Sequence, residues 1–478
     1  MGRKRKNAIT IDFSNGEASQ HVTGSCIWIH ANEFNILLEC GLSQSNNIKN
    51  DYLANKEKFN FKCNELDYVF CMHAHADHSA RIPLLYARGC NAPLIVPKDT
   101  TEIFSNMTLD SAHIIERDSE YLSRVFARDI DPLYTAEDVH NTISHLQEYP
   151  IGEVIKLNDN ISFKFVNSGH IIAGTQILLW LTSGNTTKKI IYTSDLGNDL
   201  LTKHYVEPFE PLDQCDLLIG ETTYGDPTRA VSNAVARKKD LEKLKTIIQQ
   251  ECIDQKHKVL IPVFALDRLP EILTELYLMY HDDENFRTPI VIDTPLGLAH
   301  LKTYFHILQG DKLDLLQKVL EWDNIVQVNT FEESKGWATS GRSCIVLASS
   351  GMLTAGRSLL YAEHMINDEH AFVIFCGYAT EGSIGWKIKH PKDYKYIEIN
   401  GKRKRNLCGV ADLHSFSSHM QYPSLLKYYS NINCNQIALV HGQMDSKIPF
   451  AEKLRETLAN KNKTTKVSVV NKSTVINI

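Results

Sequence analysis

Short apolar runs, each closed by a residue capable of chemistry, set the rhythm of this chain. Runs at 36–38, 68–72, 161–166, 190–193, 217–219 and 437–440 have the length and composition of buried strands. They are followed by Glu39, His73, His170 (after Asn167-Ser168-Gly169), Asp195, Glu221 and His441, respectively. Six such endings predict sheets whose strand ends converge on one site, where open α/β folds place their ligands. Between 100 and 148 the pattern turns helical and charged, and Thr135-Ala136-Glu137-Asp138 has the form of a capping box. From 226 onward the texture becomes a regular alternation. An amphipathic helix is predicted over 232–255 with Leu241, Leu244 and Ile248 on one face, followed by a strand at 259–263 and a helix at 267–281. Further strands are predicted at 290–293, 345–348 and 372–376, the signature of a compact parallel α/β module. One α/β domain interrupted by a second is therefore expected, with segments 1–225, 226–405 and 406–478, the last completing the first.

Composition narrows the class. The 478 residues are 43% hydrophobic and 23% charged, enough to build substantial cores. The 51 Lys+Arg against 57 Asp+Glu give a formal charge of -6, which excludes a uniformly basic nucleic-acid coat but not a local basic groove. Eleven cysteines without a C-x-x-C pair argue against a disulfide framework and fit a reducing cytoplasm. The basic start, Met1-Gly2-Arg3-Lys4-Arg5-Lys6, lacks the apolar segment of a secretory signal and reads as a solvated terminus. No apolar run approaches the ~20 residues of a membrane span, so no membrane partner is expected.

Histidine, present 20 times, changes the picture most. In His73-Ala-His75-Ala-Asp77-His78-Ser79, four candidate ligands fall within six residues directly after an apolar run. His73 and His75 point the same way on extended chain, whereas Asp77 and His78 fall where the chain turns towards a helix. Two sets of ligands a few ångströms apart are expected.

His-x-His-x-Asp-His after a strand resembles the signature of the metallo-β-lactamase fold. The later motifs match in order: Ser168-Gly169-His170 resembles the third histidine motif, and Tyr192-Thr193-Ser194-Asp195 the metal-bridging aspartate. The length and three further motifs resemble the β-CASP branch, the nucleases related to the pre-mRNA cleavage and polyadenylation endonuclease and to prokaryotic RNA-degrading enzymes. Glu221 in Gly220-Glu221-Thr-Thr-Tyr-Gly225 resembles motif A, His419 in Ser415-Phe-Ser-Ser-His419 motif B, and His441 in Leu439-Val-His441-Gly442 motif C. Segments 262–266, 349–352 and 377–382 resemble parts of the inserted domain.

The resemblance implies a four-layer αβ/βα sandwich with an inserted parallel α/β domain. It also implies a metal-dependent RNA phosphodiesterase, acting on single-stranded RNA in processing or decay. Two Zn2+ ions per chain are expected, with manganese or iron as alternatives on ligand type. His73, His75 and His170 would hold one ion and Asp77, His78 and His441 the other, with Asp195 bridging and Asp77 also counted as catalytic. His419 would protonate the leaving oxygen and Glu221 would orient it. A histidine in motif C points to RNA rather than DNA. Ser349, Ser350 and Arg357 are the candidate substrate contacts, Lys402 to Arg405 either a contact to the RNA backbone or an exposed basic hairpin, and a homodimer the candidate assembly. One departure stands out. The first-strand acid, usually aspartate in the family, is Glu39 here, which keeps alive the rival reading of an RNA-processing scaffold without catalysis; a small-molecule hydrolase of the same fold, acting on thioesters or lactones, is a second alternative.

Overall fold

A computed structural model describes residues 8–45, 47–377 and 379–478. The basic stretch 1–6 and Tyr378 of the 377–382 segment lie outside the described residues. By compactness the chain divides into two units. The first comprises residues up to Asp199, Val206–Ala230 and Ser418–Ile478, and the second Leu200–Tyr205 and Val231–Ser417.

The first unit holds two seven-stranded sheets. One runs Val475–Asn477, Thr10–Asp12, Ile27–His30, Asn35–Leu38, Tyr68–Phe70, Leu94–Pro97, Leu146–Tyr149. The other runs Lys466–Val469, Asn433–Val440, Gln214–Glu221, Thr186–Tyr192, Thr175–Ser183, Ile161–Asn167, Ile155–Lys156. Their facing sides share one core, to which Ile29, Ile36 and Phe70 come from the first sheet and Phe163, Leu179, Ile190 and Leu217 from the second. Sequence patterning explains this burial. Ile27–His30 alternates buried and half-buried positions, as a one-sided strand must, whereas the last five residues of Gln214–Glu221 are buried on both faces. Behind the second sheet, Leu218, Ile437 and Leu439 pack on Leu425 and Tyr429 of the helix Tyr422–Asn431 and on Phe450 and Leu454 of the helix Met444–Asn460. The helices Ile82–Ala87, Thr101–Phe126 and Ala136–Ser144 connect the parallel strands of the first sheet and form a cluster of their own around Leu84, Ala112 and Val139. The capping box is present: the Thr135 side chain and the Asp138 backbone and carboxylate satisfy each other.

Strand direction is what gathers the chemistry. Asn35–Leu38 and Tyr68–Phe70 are parallel. In the other sheet, Thr186–Tyr192, Gln214–Glu221 and Asn433–Val440 are parallel, and Ile161–Asn167 shares their direction through two antiparallel steps. The C-terminal ends of all six strands therefore lie at one end of the sandwich.

The second unit is built on six parallel strands in the order Ile325–Gln327, Ile290–Asp293, Cys344–Ala348, Lys258–Pro262, Phe372–Phe375, Gly409–Asp412. Its long first helix is α-helical over Ala234–Ile247 and continues as a π-helical stretch over Ile248–Asp254. Leu244, Ile247, Ile248 and Cys252 are its buried positions, and Leu241 is only half-buried. The units part at Val231 and Ser418 rather than at 226 and 406, because Gly409–Asp412 is an edge strand of the inserted sheet. Lys402–Arg405 pairs with Tyr396–Ile399 as a two-stranded hairpin. All eleven cysteines are buried and free, and among the described residues no helix is long and apolar enough to cross a membrane.

Candidate metal centre

Three residues at the converging strand ends, Glu39, Ser194 and His441, adopt left-handed backbone conformations with φ of 60°, 48° and 48°. Each such turn costs a non-glycine residue about 1–3 kcal/mol, and here three of them redirect side chains at one site. Close backbone contacts hold the loops in place. Gly41 lies so near the 73–78 loop that a Cβ would sit 1.6 Å from the Asp77 carbonyl oxygen. At Gly197 a Cβ would sit 1.8 Å from the carbonyl oxygen of Gly169, beside His170. Hydrogen bonds from Cys40 to His78, from Leu42 to Ala76, from Gly197 to Ser168 and from Met420 to Leu196 close the gaps.

The result brings together every predicted ligand. Asp195 occupies the middle, 2% exposed, with one oxygen facing each histidine set. Its Oδ2 is 3.7 Å from His73 Nε2 and 3.4 Å from His170 Nε2, and its Oδ1 is 3.3 Å from His78 Nε2 and 3.4 Å from His441 Nδ1. His75 Nδ1 stands 3.2 Å from His170 Nε2, and His78 Nε2 stands 3.1 Å from His441 Nε2. Asp77 Oδ2 is 3.4 Å from His441 Nε2 and 3.7 Å from His78 Nε2. The side chains form a group of mutually close donors in His73, His75, His170 and Asp195 and another in Asp77, His78 and His441, while Glu39 lies close to both His73 and His78.

These residues fit a pair of metal ions. Donor atoms about 3.3 Å apart form the edge of a tetrahedron with metal–nitrogen bonds of 2.0–2.1 Å. His73 Nε2 and Asp195 Oδ1 are fully buried without a hydrogen-bond partner, an arrangement that is costly unless a cation completes it. The set consists of imidazole and carboxylate, which suits zinc.

Electrostatics divides the histidines. Burial, reinforced by neighbouring imidazoles, holds His73 and His170 well below the usual histidine range, so both present neutral rings. Burial also opposes charge on His78, but Asp195 and Glu39 outweigh it and raise this histidine well above its ordinary value. His441 is raised in the same way by Asp195 and Asp77 against the cost of burial. Asp195 is held well below the carboxylate range, its own burial being overcome by His441 and His78.

Glu39 stands behind this arrangement and is completely buried. Its carboxylate accepts from Tyr192 Oη at 2.5 Å and Ser194 Oγ at 2.6 Å, and lies 2.5 Å from His78 Nδ1. Ser194 Oγ is also 3.0 Å from His73 Nδ1, so one carboxylate orients a histidine in each group. Sequence reasoning singled out Glu39 but not Tyr192 or Ser194, although both lie inside the motif that ends in Asp195.

His419 Nε2 is 4.0 Å from Asp195 Oδ2, and its Nδ1 faces Glu221 Oε1 at 3.6 Å. The Glu221 carboxylate is itself fixed by the backbone N–H groups of Leu196 and Thr223. Tyr224, which the sequence did not single out, packs edge-on against His419 with ring centres 5.5 Å apart.

The remaining candidates belong to the second unit. Ser349 Oγ donates to Thr294 Oγ1, and Ser350 Oγ accepts from the Thr354 and Ala355 N–H groups. Arg357 donates to Thr330 O and Ser334 Oγ and faces Asp293 at 3.8 Å. These side chains are engaged within the framework of their own unit. Also in that unit, His204, Glu271 and Glu275 form a further group with metal-like spacing that the sequence did not reveal. There Arg237 binds Glu275 at 3.0 Å and Lys203 faces Asp267 at 3.5 Å, which makes the group part of an ion-pair network.

The chain is similar to several known proteins. Residues 270–388 match the family described as the Beta-Casp domain, and residues 406–467 match the Zn-dependent metallo-hydrolase RNA specificity domain. Ribonuclease TTHA0252 of Thermus thermophilus is 28% identical over 449 residues, covering 91% of this chain and 94% of its own length. Transcription termination factor FttA of Methanocaldococcus jannaschii is 27% identical over 463 residues, covering 94% of this chain and 69% of its own. An RNase J-like protein of the same organism is 27% identical over 448 residues, with 92% and 94% covered. Among solved structures, a protein of unknown function from Enterococcus faecalis shares the fold at a TM-score of 0.53 and 12% identity, covering 98% of this chain and all of its own.

Proposed function

As a β-CASP protein of the metallo-β-lactamase fold, this chain has the parts for phosphodiester hydrolysis, and we propose that it is a metal-dependent ribonuclease acting on single-stranded RNA. The observation that carries the reading is Asp195, buried with one oxygen turned to each of two histidine groups. In this reading His73, His75 and His170 hold one Zn2+, Asp77, His78 and His441 hold the other, and Asp195 joins them. Bound there, two divalent ions supply a nucleophile from water at neutral pH and offset charge developing on the phosphoryl oxygens. The chain's own residues do the rest. Glu39 keeps His73 and His78 in the orientation ligation requires, through Ser194 and directly. His419 Nε2 points towards Asp195 and so towards the reacting phosphate, where it can donate a proton to the departing 3′-oxygen. Glu221 limits the rotation of that imidazole from behind. The products are a 3′-hydroxyl and a 5′-phosphate.

The test is incubation of end-labelled RNA, bearing either a 5′-hydroxyl or a 5′-phosphate, with and without chelator. Cleavage that chelator abolishes is expected, and the two ends distinguish internal cutting from attack at the 5′ end. Metal analysis should find about two equivalents per chain. His73→Ala and Asp195→Ala should each lose cleavage while the circular dichroism spectrum stays unchanged. Undiminished cleavage in either variant would overturn the mechanism.

A further inference from the structure

A chain of contacts starts at Asp195: His419 faces it, Tyr224 packs against His419, and Arg229 lies on Tyr224. The Arg229 guanidinium carbon lies 3.7 Å from the centre of the Tyr224 ring, stacked on its face, while an edge-on contact joins Tyr224 to His419. The two separations keep the guanidinium within about 9 Å of the His419 ring. Tyr224 is 6% exposed and fixes this spacing.

Arg229 has no acidic partner among the described residues, and its Nε is buried without an acceptor. The nearest acid in sequence, Asp226, is already used: its carboxylate accepts from the N–H and hydroxyl of Thr228 and closes the turn that delivers Arg229. A half-buried guanidinium with its plane set by an aromatic face and its fork unpaired is prepared for a planar or tetrahedral anion. The anion that belongs beside a proton donor to the departing 3′-oxygen is the next phosphate of the same strand.

We infer that Arg229, held on the face of Tyr224 beside His419, binds the RNA phosphate one nucleotide to the 5′ side of the scissile bond. The inference rests on the ribonuclease reading and adds a substrate contact and a direction to it. His419 serves the leaving nucleotide, so a guanidinium held within about 9 Å of its ring is within reach of that nucleotide's own 5′ phosphate. An arginine there aligns the leaving nucleotide as well as attracting it. Its loss therefore raises KM and misaligns the 3′-oxygen relative to His419.

Arg229→Met keeps the volume and the contact with Tyr224 but removes the charge, and Arg229→Lys keeps the charge but removes the fork. Short single-stranded RNA is used in two forms, one with all phosphates charged and one with a neutral methylphosphonate one nucleotide 5′ of the scissile bond. Arg229→Met should raise KM by about 10-fold, as loss of one charged hydrogen-bonding group does, with Arg229→Lys intermediate. The slope of log affinity against log salt should fall by about 0.7. The methylphosphonate should weaken binding to the unsubstituted chain by a similar factor and have no further effect on Arg229→Met. Thermal unfolding of both variants identifies any loss due to misfolding. Unchanged KM and salt slope in a folded Arg229→Met, or a methylphosphonate penalty that persists in it, would overturn the inference and leave the ribonuclease reading standing. An unsubstituted chain that neither cleaves nor binds RNA would overturn both.

Discussion

Glu39 stands where the metallo-β-lactamase resemblance leads one to expect an aspartate, and the structure gives the extra methylene a use. From the end of its strand the longer side chain reaches Tyr192, Ser194 and His78 at once, in a pocket closed to solvent. An aspartate on the same backbone would fall short of at least one partner and leave a buried hydroxyl or ring nitrogen unsatisfied, at about 1–3 kcal/mol. Glu39→Asp is therefore expected to lower the unfolding midpoint and to weaken metal binding by about 10-fold or more, even though it restores the commoner residue. Competition with a chromophoric chelator measures the second effect. The same residue illustrates what the sequence reveals and what it hides. An acid after an apolar run is visible at position 39, but its partners lie 153 and 155 residues away, and only the folded sheet brings them together.

Elements were legible where burial is two-sided. The strands near 36, 68, 190, 217 and 437 announced themselves as apolar runs because their C-terminal residues are buried on both faces, and the one near 161 because its buried face carries Ile161, Phe163 and Phe165. Thr10–Asp12, Lys466–Val469 and Val475–Asn477 did not, because they are edge or next-to-edge strands of three or four residues, each with only one buried position. The helix Met444–Asn460 hides another element-scale contact. Its Lys447 is wholly buried, donates to Ser19 O at 2.7 Å and reaches Val470 O at 3.5 Å, tying the helix to the 16–21 loop and to the end of a strand. The Ala18 carbonyl in that loop accepts from the His441 N–H. Burial pushes the Lys447 ammonium down to about 8. Between pH 8 and about 10.5 the unfolded chain holds a proton on this lysine that the folded chain has released, so folding gains stability as pH rises. Measured by denaturant unfolding, the stability of the unsubstituted chain relative to Lys447→Met should climb by about 2–3 kcal/mol across that window. A flat difference would mean that the ammonium is solvated.

At the scale of the whole molecule, all seven candidate ligands around Asp195 belong to the first unit, although the chain leaves that unit twice between Asp195 and His441. A ligand that binds one folded unit stabilises that unit alone, by about 2.7 kcal/mol per site at a free concentration one hundred times its dissociation constant. Calorimetry with and without chelator should therefore lower the melting transition of the first unit and leave that of the second in place. The formal charge of -6 is the wrong scale for judging an RNA partner, since it counts Asp77 and Asp195 as bare carboxylates although they lie in groups spaced to hold cations.

The placing of His441 also has a consequence in time. Six of the seven candidate ligands, from His73 to Asp195, leave the ribosome early, but the seventh sits on a strand made only after the inserted unit is complete. At about 5–20 residues per second the interval is on the order of tens of seconds. Throughout it the growing chain, still tethered to its own messenger, lacks the strand Asn433–Val440 that must dock beside Gln214–Glu221. Until that strand is made and docked, the growing chain holds at most six of the seven candidate ligands.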